Sequence, residues 1–239
     1  MGESPSDLEI PARVGGPNVI ELRGLTVAFG RTVAVNDLTL DIDQGVCGVF
    51  GQNGSGKSTL LRCVAGLLRP ARGLIAIDGD PVNLSDEAFR RQVGFAGHEP
   101  GLYRRLTVME NLRLFGSLYG VGATRIDEVV ANLDLARFSD TRVEALSAGT
   151  RRRAAVARAL LHEPRILLLD EPYANVDEDA AELISSAVRP WRSNGRVALI
   201  ATHGAKKVKA FANAGLILRD GRSVMHGRYD RPDTADASR

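Results

Sequence analysis

No apolar stretch of the sequence is long enough to cross a membrane. A spanning helix needs roughly 18–20 apolar residues, and the longest apolar candidate in this 239-residue chain, at 166–169, stops at Asp170. The first residues are acidic and lack the apolar core of a signal peptide. We therefore expect a chain that is soluble by itself, so that any membrane attachment comes through a partner.

Cysteine, aromatic residues and net charge are also scarce. Two cysteines, Cys47 and Cys63, argue against a disulfide framework and favour a reducing cytosol. Aromatic residues are 5% of a chain that is 44% hydrophobic, so aliphatic packing is expected to dominate the core. The formal net charge of +2 is too balanced to indicate a nucleic-acid partner.

What the sequence does contain is a glycine-rich motif between a predicted strand and a predicted helix. Residues 51–58 fit the phosphate-binding pattern G-x-x-x-x-G-K-[ST], with a strand predicted at 46–50 and a helix at 58–65. Glycines let successive N–H groups turn toward one anion, and the helix N-terminus adds positive potential. The motif therefore predicts a nucleoside triphosphate site. The predicted nucleotide-binding residues here are Gly51, Gln52, Asn53, Gly54, Ser55, Gly56, Lys57, Ser58 and Thr59.

A second motif supplies the carboxylates that phosphoryl transfer needs. The aliphatic run at 166–169 ends in Asp170 and Glu171, and ligands of α/β sheets bind at the carboxyl ends of strands. Asp170 is predicted to hold Mg²⁺ with the Ser58 hydroxyl, and Lys57 to reach the β- and γ-phosphates. Glu171 is then placed to orient and deprotonate the attacking water.

The order of predicted elements indicates an α/β chain. Short strands joined by turns before residue 45 predict an antiparallel sheet. Buried strands at 165–170 and 196–202, separated by a helix at 178–192, indicate a parallel sheet. A mostly helical insert, at about 97–163, interrupts this core. A hairpin with an Asp-Gly turn is predicted at 214–225.

The chain is predicted to be one domain with two flexible ends. The predicted boundaries are a flexible lead-in at 1–17, the domain at 18–226 and a flexible tail at 227–239.

A third segment narrows the class. Residues 146–150 read Leu-Ser-Ala-Gly-Thr and precede a strongly helical run, which by shape alone is an ordinary capped helix with Ser147 as N-cap. The segment resembles the LSGGQ signature of ATP-binding-cassette (ABC) ATPases, and it stands shortly before the Asp-Glu strand, as in that family. The resemblance extends over about 19–224.

This resemblance implies a fold and a set of nucleotide contacts. The fold is a P-loop NTPase with a RecA-like core, an antiparallel β subdomain and a helical signature subdomain, and the cofactors are ATP and Mg²⁺. Phe29 matches the aromatic residue that stacks on adenine, Asp177 belongs to the D-loop, and His203 matches the switch histidine that contacts the γ-phosphate. Separately, Phe29 fits a core position and His203 a surface loop.

The resemblance also implies an assembly. In the family the signature helix caps the ATP held by a second subunit, so each ATP would lie between Lys57 of one copy and Ser147 and Gly149 of the other. The expected partners are a second, head-to-tail copy of this chain and an integral membrane permease, which places the chain at the cytoplasmic face of the membrane. No nucleic-acid partner is implied.

Three positions depart from the family pattern. Ala148 and Thr150 replace a Gly and the Gln of the signature, and both changes leave the Ser147 hydroxyl and the Gly149 N–H in place. His98 stands where the family has a Gln that touches Mg²⁺ or the attacking water; the alternative is a solvent-exposed loop histidine. The neighbouring cluster of arginines at 151–153 is expected to be a solvated helix face; the alternative is an interaction with phosphate or a partner.

The segment around His98 suggests an export-type system. Residues 97–103 and 106–112 are similar to ATPase subunits of ABC exporters, most of all those of haem exporters in cytochrome c maturation. Drug, lipid or polysaccharide exporters are the alternative, because they share the second stretch. A non-transport ABC ATPase acting on nucleic acid or ribosomes is a further alternative, which the near-neutral charge disfavours.

Overall fold

The computed structural model describes residues 18–193 and 195–229. The strands in this part of the chain are β1 (Asn18–Phe29), β2 (Thr32–Asp43), β3 (Gly45–Phe50), β4 (Arg72–Ile77), β5 (Asp80–Pro81), β6 (Val93–Ala96), β7 (Ile166–Asp170), β8 (Val197–Thr202), β9 (Ala214–Arg219) and β10 (Arg222–Arg228). The helices are α1 (Lys57–Val64), α2 (Glu87–Arg91), α3 (Val108–Tyr119), α4 (Ala123–Asn132), α5 (Ala148–Leu160), α6 (Glu178–Val188) and α7 (Ala205–Lys209).

These strands form two sheets. The first has the order β2-β1-β4-β5 and is antiparallel throughout, as the run of early strands predicts. The second has the order β10-β9-β3-β8-β7-β6; it is parallel from β9 to β6, and β10 alone pairs antiparallel to its neighbour. The predicted α/β architecture is confirmed, and the loops after β3, β6, β7 and β8 meet at one edge of the parallel sheet.

The apolar run of β7 separates two cores. Successive strand residues point to opposite faces of a sheet, so Ile166 and Leu168 pack with α1 and the antiparallel sheet, while Leu167 and Leu169 pack with the helical insert. Both faces are covered, which is why this strand is apolar without alternation. Asp170, at its end, is fully buried.

The helical insert consists of α3, α4 and α5. Helix α3 begins with a capping box, in which the Thr107 side chain and the Glu110 side chain each accept from the other's backbone N–H, and it ends at Gly120 with φ 73°. Its bounds lie within the helical insert that the sequence predicts at about 97–163. None of the helices in the described residues is long and apolar enough to span a bilayer.

Several boundaries differ from the sequence predictions. The helix predicted at 178–192 ends at Val188 and continues as a 3₁₀ turn, because Pro190 lacks an N–H and blocks the α-helix. The short strand β6 and the five-residue helix α7 are not predicted. Strand β10 continues to Arg228, so a flexible tail beginning at 227 is wrong for its first two residues.

The predicted lead-in at 1–17 and the rest of the predicted tail, 230–239, lie outside the described residues.

Candidate nucleotide-binding site

The phosphate loop joins β3 to α1 through backbone conformations that only glycine adopts easily. Gly51 has φ 155° and Gly56, the N-cap of α1, has φ 102°. A Cβ on Gly51 would lie 2.4 Å from the Leu218 carbonyl oxygen, and one on Gly56 would lie 2.3 Å from that of Ala34. The loop is therefore wedged between the end of β9 and strand β2, and its shape is fixed by contacts inside the chain.

Lys57 is the buried cation of this loop. Its side chain is 6% exposed, and its Nζ donates to the carbonyl oxygens of Gly51 at 2.8 Å and Gln52 at 3.0 Å. Burial without a carboxylate partner costs free energy unless the ammonium is hydrogen-bonded. The loop's own carbonyl groups hold the charge at its mouth, where phosphate oxygens can also reach it.

Asp170 and Ser58 lie together across the site. The Ser58 hydroxyl donates to Asp170 Oδ1 at 2.9 Å, whereas Asp170 Oδ2 has no hydrogen-bond partner among the described residues although the side chain is fully buried. An unpaired buried carboxylate oxygen is costly, and a hydroxyl and a carboxylate are ligands that Mg²⁺ prefers. The pair therefore fits a divalent cation.

Other protein ligands are few around this pair. In residues 18–193 and 195–229 no group of three or more His, Cys, Asp or Glu side chains is arranged to hold a metal ion. A Mg²⁺ held by one hydroxyl and one carboxylate completes its coordination with phosphate oxygens and water, which suits a nucleotide-borne cation.

Glu171 and His203 form a second polar pair. Glu171 Oε1 accepts from the His203 backbone N–H at 3.0 Å, and His203 Nδ1 lies 3.1 Å from Glu171 Oε2. The backbone of Glu171 has φ 52°, in the left-handed region that is costly for residues other than glycine. Such strain persists only where the surroundings enforce it and is found at functional sites; here a β7–α6 turn holds the carboxylate at the site.

One cavity of about 520 Å³ brings most of the predicted residues together. Its lining residues are Phe29, Ala34, Asn53, Gly54, Ser55, Gly56, Lys57, Ser58, Thr59, His98, Asp170, Glu171, Ala174 and His203. Gly51 and Gln52 shape the loop from behind, through the carbonyl groups that bind Lys57. Phe29 is 53% exposed at this cavity, as suits a ring that stacks on a flat ligand. Ala34 was not predicted, because nothing in the pattern of its strand marks it.

The signature residues lie elsewhere. Ser147, Gly149 and Asp177 line a separate cavity of about 240 Å³, and in the described part of the chain none of them lines the phosphate-loop cavity. Ser147 Oγ accepts from the Thr150 N–H at 3.1 Å and lies 2.9 Å from Thr150 Oγ1. Asp177 Oδ1 accepts from the Ala180 N–H at 2.8 Å. Both residues therefore cap helices, α5 and α6, beside an open surface.

The arginine cluster beside the signature is not a solvated face, so that prediction is wrong. Arg152 is 8% exposed and Arg153 is 6% exposed. Arg152 donates to the Gly97 carbonyl oxygen at 2.8 Å, and Arg153 donates to that of Leu133 at 2.7 Å. Helix α5 is enclosed on nearly every side, so these guanidinium groups are buried and paired with backbone carbonyl groups.

His98 stands between the phosphate-loop cavity and a groove of about 410 Å³. It is exposed and lines both. In the groove the rings of Tyr119 and His162 stack with centroids 4.0 Å apart. Burial lowers the pKa of His162, so its ring is uncharged at neutral pH. The groove is otherwise rich in cations, with Arg62, Arg90 and Arg158 in its lining.

The site combines a glycine-shaped loop at a helix N-terminus, a buried cation and a carboxylate at the end of the neighbouring strand. These features define a P-loop nucleoside triphosphatase. The family profile described as ABC transporter matches residues 35–174, which is more than half of the chain. The chain belongs to the ABC transporter family, as an ATP-binding subunit that hydrolyses ATP.

Individual relatives agree with this assignment. Nod factor export ATP-binding protein I from Cupriavidus pinatubonensis (strain JMP 134 / LMG 1197) is 35% identical over 229 residues, which cover 94% of this chain and 70% of the relative. ABC transporter ATP-binding protein NatA from Bacillus subtilis (strain 168) is 34% identical over 203 residues, with 82% of each chain covered.

Solved structures agree as well. The dimeric post-hydrolysis structure of the ATP-binding cassette MJ0796 bound to ADP and Pi has a TM-score of 0.78 and 27% identity to this chain, covering 87% of it and 98% of the solved chain. The predicted family, fold and ATPase activity are confirmed. The narrower resemblance to haem exporters stays a prediction, because these relatives carry other names.

Proposed function

We propose that this chain powers export as a homodimer: two copies close head to tail around two ATP molecules, and hydrolysis lets them reopen. The separation of two cavities carries the proposal, because the phosphate-loop cavity lacks the signature residues and the signature cavity lacks a phosphate loop. A second copy of the same chain offers both missing halves, and closed two-fold symmetry then gives two equivalent sites. The dimeric state of the MJ0796 structure supports this assembly.

The environment of Gly149 points the same way. A Cβ there would meet only Asn175 and Val176 atoms at 3.8–3.9 Å, which is ordinary contact distance. Glycine within a helix costs about 1 kcal/mol relative to alanine, and packing inside this chain does not require it. A close approach from outside the chain, such as that of a phosphate of the partner's ATP, would require glycine at this position.

Each residue of the phosphate-loop cavity has a place in the chemistry. Phe29 stacks on adenine, and Lys57 neutralises the β- and γ-phosphates. Ser58 and Asp170 would hold Mg²⁺, which would offset the charge that develops in phosphoryl transfer. His98, at the edge of the cavity, would contact Mg²⁺ or the attacking water.

Glu171 activates the attacking water, and His203 orients the Glu171 carboxylate and contacts the γ-phosphate. Both carboxylate oxygens of Glu171 face His203, one toward the backbone N–H and one toward Nδ1. This double contact fixes the carboxylate plane, so that water and γ-phosphate meet a base in a set orientation.

The permease is the second partner. The groove beside His98 is where we place its cytoplasmic segment, since His98 lines both the phosphate-loop cavity and the groove. The resemblance to ABC ATPases implies docking around 98–105, a range that begins at His98. Through this contact the subunit would be peripheral to the membrane, at its cytoplasmic face.

Export is the direction that the relatives support, because the Nod factor relative is named for export. Within export, a role in haem handling for cytochrome c biogenesis rests on the residues around His98, and drug, lipid or polysaccharide cargo is the alternative. The membrane protein that co-purifies from a detergent extract decides between them. A haem-handling subunit supports the narrow hypothesis, and any other permease excludes it. Salt-sensitive co-purification with RNA or DNA, without a membrane subunit, would favour the non-transport alternative.

Replacing Glu171 by Gln tests the ATP-dependent dimer. Glu171→Gln should bind ATP, remain as a dimer in size-exclusion chromatography with light scattering, and hydrolyse about a hundredfold less ATP, as expected for a lost general base. Glu182→Gln, an exposed change on α6 that removes an ion pair to Arg189, is the matched control. Near-normal turnover by Glu171→Gln would remove Glu171 from the base role, and a monomer with bound ATP would overturn the assembly.

A further inference from the structure

Two arginines of the signature helix α5 bind the strand that leads to His98. Arg152 Nη1 donates to the Gly97 carbonyl oxygen at 2.8 Å, and Arg158 Nη2 donates to the Phe95 carbonyl oxygen at 2.7 Å. The Arg158 guanidinium also lies over the Phe115 ring of α3, 5.0 Å from its centroid. Strand β6 and the residue that follows it are therefore hydrogen-bonded to the helical insert at Phe95 and Gly97, shortly before His98 in the sequence.

The hydrogen bond between Arg152 and Gly97 is close to the nucleotide site. Strand β6 pairs in parallel with β7, with Ala96 opposite Leu169, so Gly97 follows β6 beside Asp170, the last residue of β7. Burial lowers the pKa of Arg152, and the carboxylates Asp170 and Glu171 oppose that effect. The Arg152 guanidinium is therefore near the carboxylates of the phosphate-loop cavity, while α5, the helix that carries Arg152, contributes its first turn to the signature cavity.

We propose that Arg152 is a positioning residue that fastens the signature helix to the His98 segment, so that nucleotide in the phosphate-loop cavity sets the position of Ser147 and Gly149 in the same subunit. The inference rests on the proposed ATP-bound dimer. Because a buried charge-assisted hydrogen bond is geometrically strict, Gly97 and the N-terminal half of α5 move as one body. ATP bound to one copy thereby prepares that copy's signature for the ATP of its partner.

Arg125, on α4, offers a matched control because it binds the C-terminal end of α5. Its Nη2 donates to the Leu160 carbonyl oxygen at 3.1 Å, and it pairs with Glu128. Arg125 and Arg152 thus make the same kind of bond, but the Arg125 bond stays within the helical insert and does not reach the strand before His98. Loss of either bond affects stability, whereas only loss of the Arg152 bond should affect communication between the cavities.

The test compares Arg152→Gln with Arg125→Gln, each made in the full chain and again in the Glu171→Gln background. Measurements are the melting temperature, binding of a fluorescent ATP analogue to dilute monomer, the dimer dissociation constant with ATP and Mg²⁺, and kcat and KM of hydrolysis. For Arg152→Gln we expect monomer affinity within about twofold of the parent, and about a tenfold loss in dimer affinity and in kcat, as for one charge-assisted hydrogen bond. For Arg125→Gln we expect dimer affinity and kcat within about twofold of the parent.

Arg152→Lys keeps the test decisive if removal of a buried arginine unfolds the chain. Lysine keeps the charge but loses the planar fork, so dimer affinity should fall about threefold, between the parent and the glutamine variant. Dimer affinity equal to the parent's in every folded Arg152 variant overturns the inference, as does an equal loss in Arg125→Gln. Absence of an ATP-bound dimer in the Glu171→Gln parent overturns the proposed function and this inference with it.

Discussion

The phosphate-loop cavity and the signature cavity use glycine for opposite reasons. At Gly56 an added Cβ would lie 2.3 Å from a backbone oxygen of the same chain, whereas at Gly149 it would meet nothing closer than 3.8 Å. The first glycine is required by the fold and the second is not. Contacts inside the chain thus explain the glycine of the phosphate-loop cavity. The glycine of the signature cavity calls for a contact from outside the chain.

The sharpest way to break this comparison is to mix two inactive variants. Lys57→Ala removes the cation of the phosphate-loop cavity, and Gly149→Asp places a carboxylate where the signature cavity would meet phosphate. Each variant alone should lose about a hundredfold or more in turnover. In an equal mixture, half of the dimers contain one intact composite site, and phosphate release should recover to about a quarter of the parent rate.

Each variant mixed with affinity-tagged wild type serves as the control for subunit exchange, measured as co-purification of the untagged variant, because the turnover of such a mixture is the same with and without exchange. If the two inactive variants show no recovery while wild-type subunits do exchange, the two cavities do not combine across subunits.

The second prediction concerns stability at the phosphate loop. Gly56→Ala forces a Cβ against the Ala34 carbonyl group at a left-handed backbone position, and we expect a loss of about 3 kcal/mol in the free energy of unfolding, as for an overpacked core. Urea unfolding followed by circular dichroism measures it. Gly54→Ala, also at positive φ but with nothing within 4 Å, should lose less; equal losses would mean that backbone strain alone, without the steric contact, sets the cost.

The third prediction is the counterpart at the signature. Gly149→Ala should leave the free energy of unfolding unchanged or raise it by about 0.5–1 kcal/mol, because alanine is the better helix former and the space is free. The same variant should weaken ATP-dependent dimerisation. A variant that unfolds more easily would show that Gly149 is constrained inside the chain after all, and the contrast between the two cavities would disappear.

The smallest expected effect lies in the groove, which belongs to neither cavity. The pKa of His162 is lowered in the folded state, so the unfolded chain binds the proton more readily. Stability should therefore fall as the pH drops below about 6.5, the unfolded value, with a slope of at most about 1.4 kcal/mol per pH unit, and should level off below the folded pKa. His162→Phe, which keeps a ring beside Tyr119, should flatten that slope in unfolding experiments between pH 7 and pH 5. An unchanged slope would assign it to another group.

The sequence predicted what is local. The phosphate loop, the Asp-Glu strand end and the N-cap at Ser147 each depend on a few neighbouring residues, and their elements form at or near the predicted positions. The short turns between the early strands likewise predicted an antiparallel sheet.

What was missed depends on distant contacts. Arg152 and Arg153 read as a charged surface because their acceptors are carbonyl groups 55 and 20 residues away in the chain. Strand β6 is four residues long and gains its identity only from pairing with β7. Phe29 and His98 were placed by family resemblance, since no local pattern brings a residue of β1 to a cavity with one that follows β6.

Thr150 gives the Ser147 hydroxyl a direction. A serine oxygen has two acceptor positions and one hydrogen to donate, and Thr150 reaches it with both its N–H, at 3.1 Å, and its hydroxyl, at 2.9 Å. When Thr150 donates through both groups, the acceptor positions are filled and the serine hydrogen is left for an external acceptor. In that arrangement the exposed end of α5 can donate to an anion but cannot accept from a donor. The threonine that replaces the family's glutamine thus gives this chain a way to set the direction of the serine hydroxyl, which depends on which of the two hydroxyl groups donates.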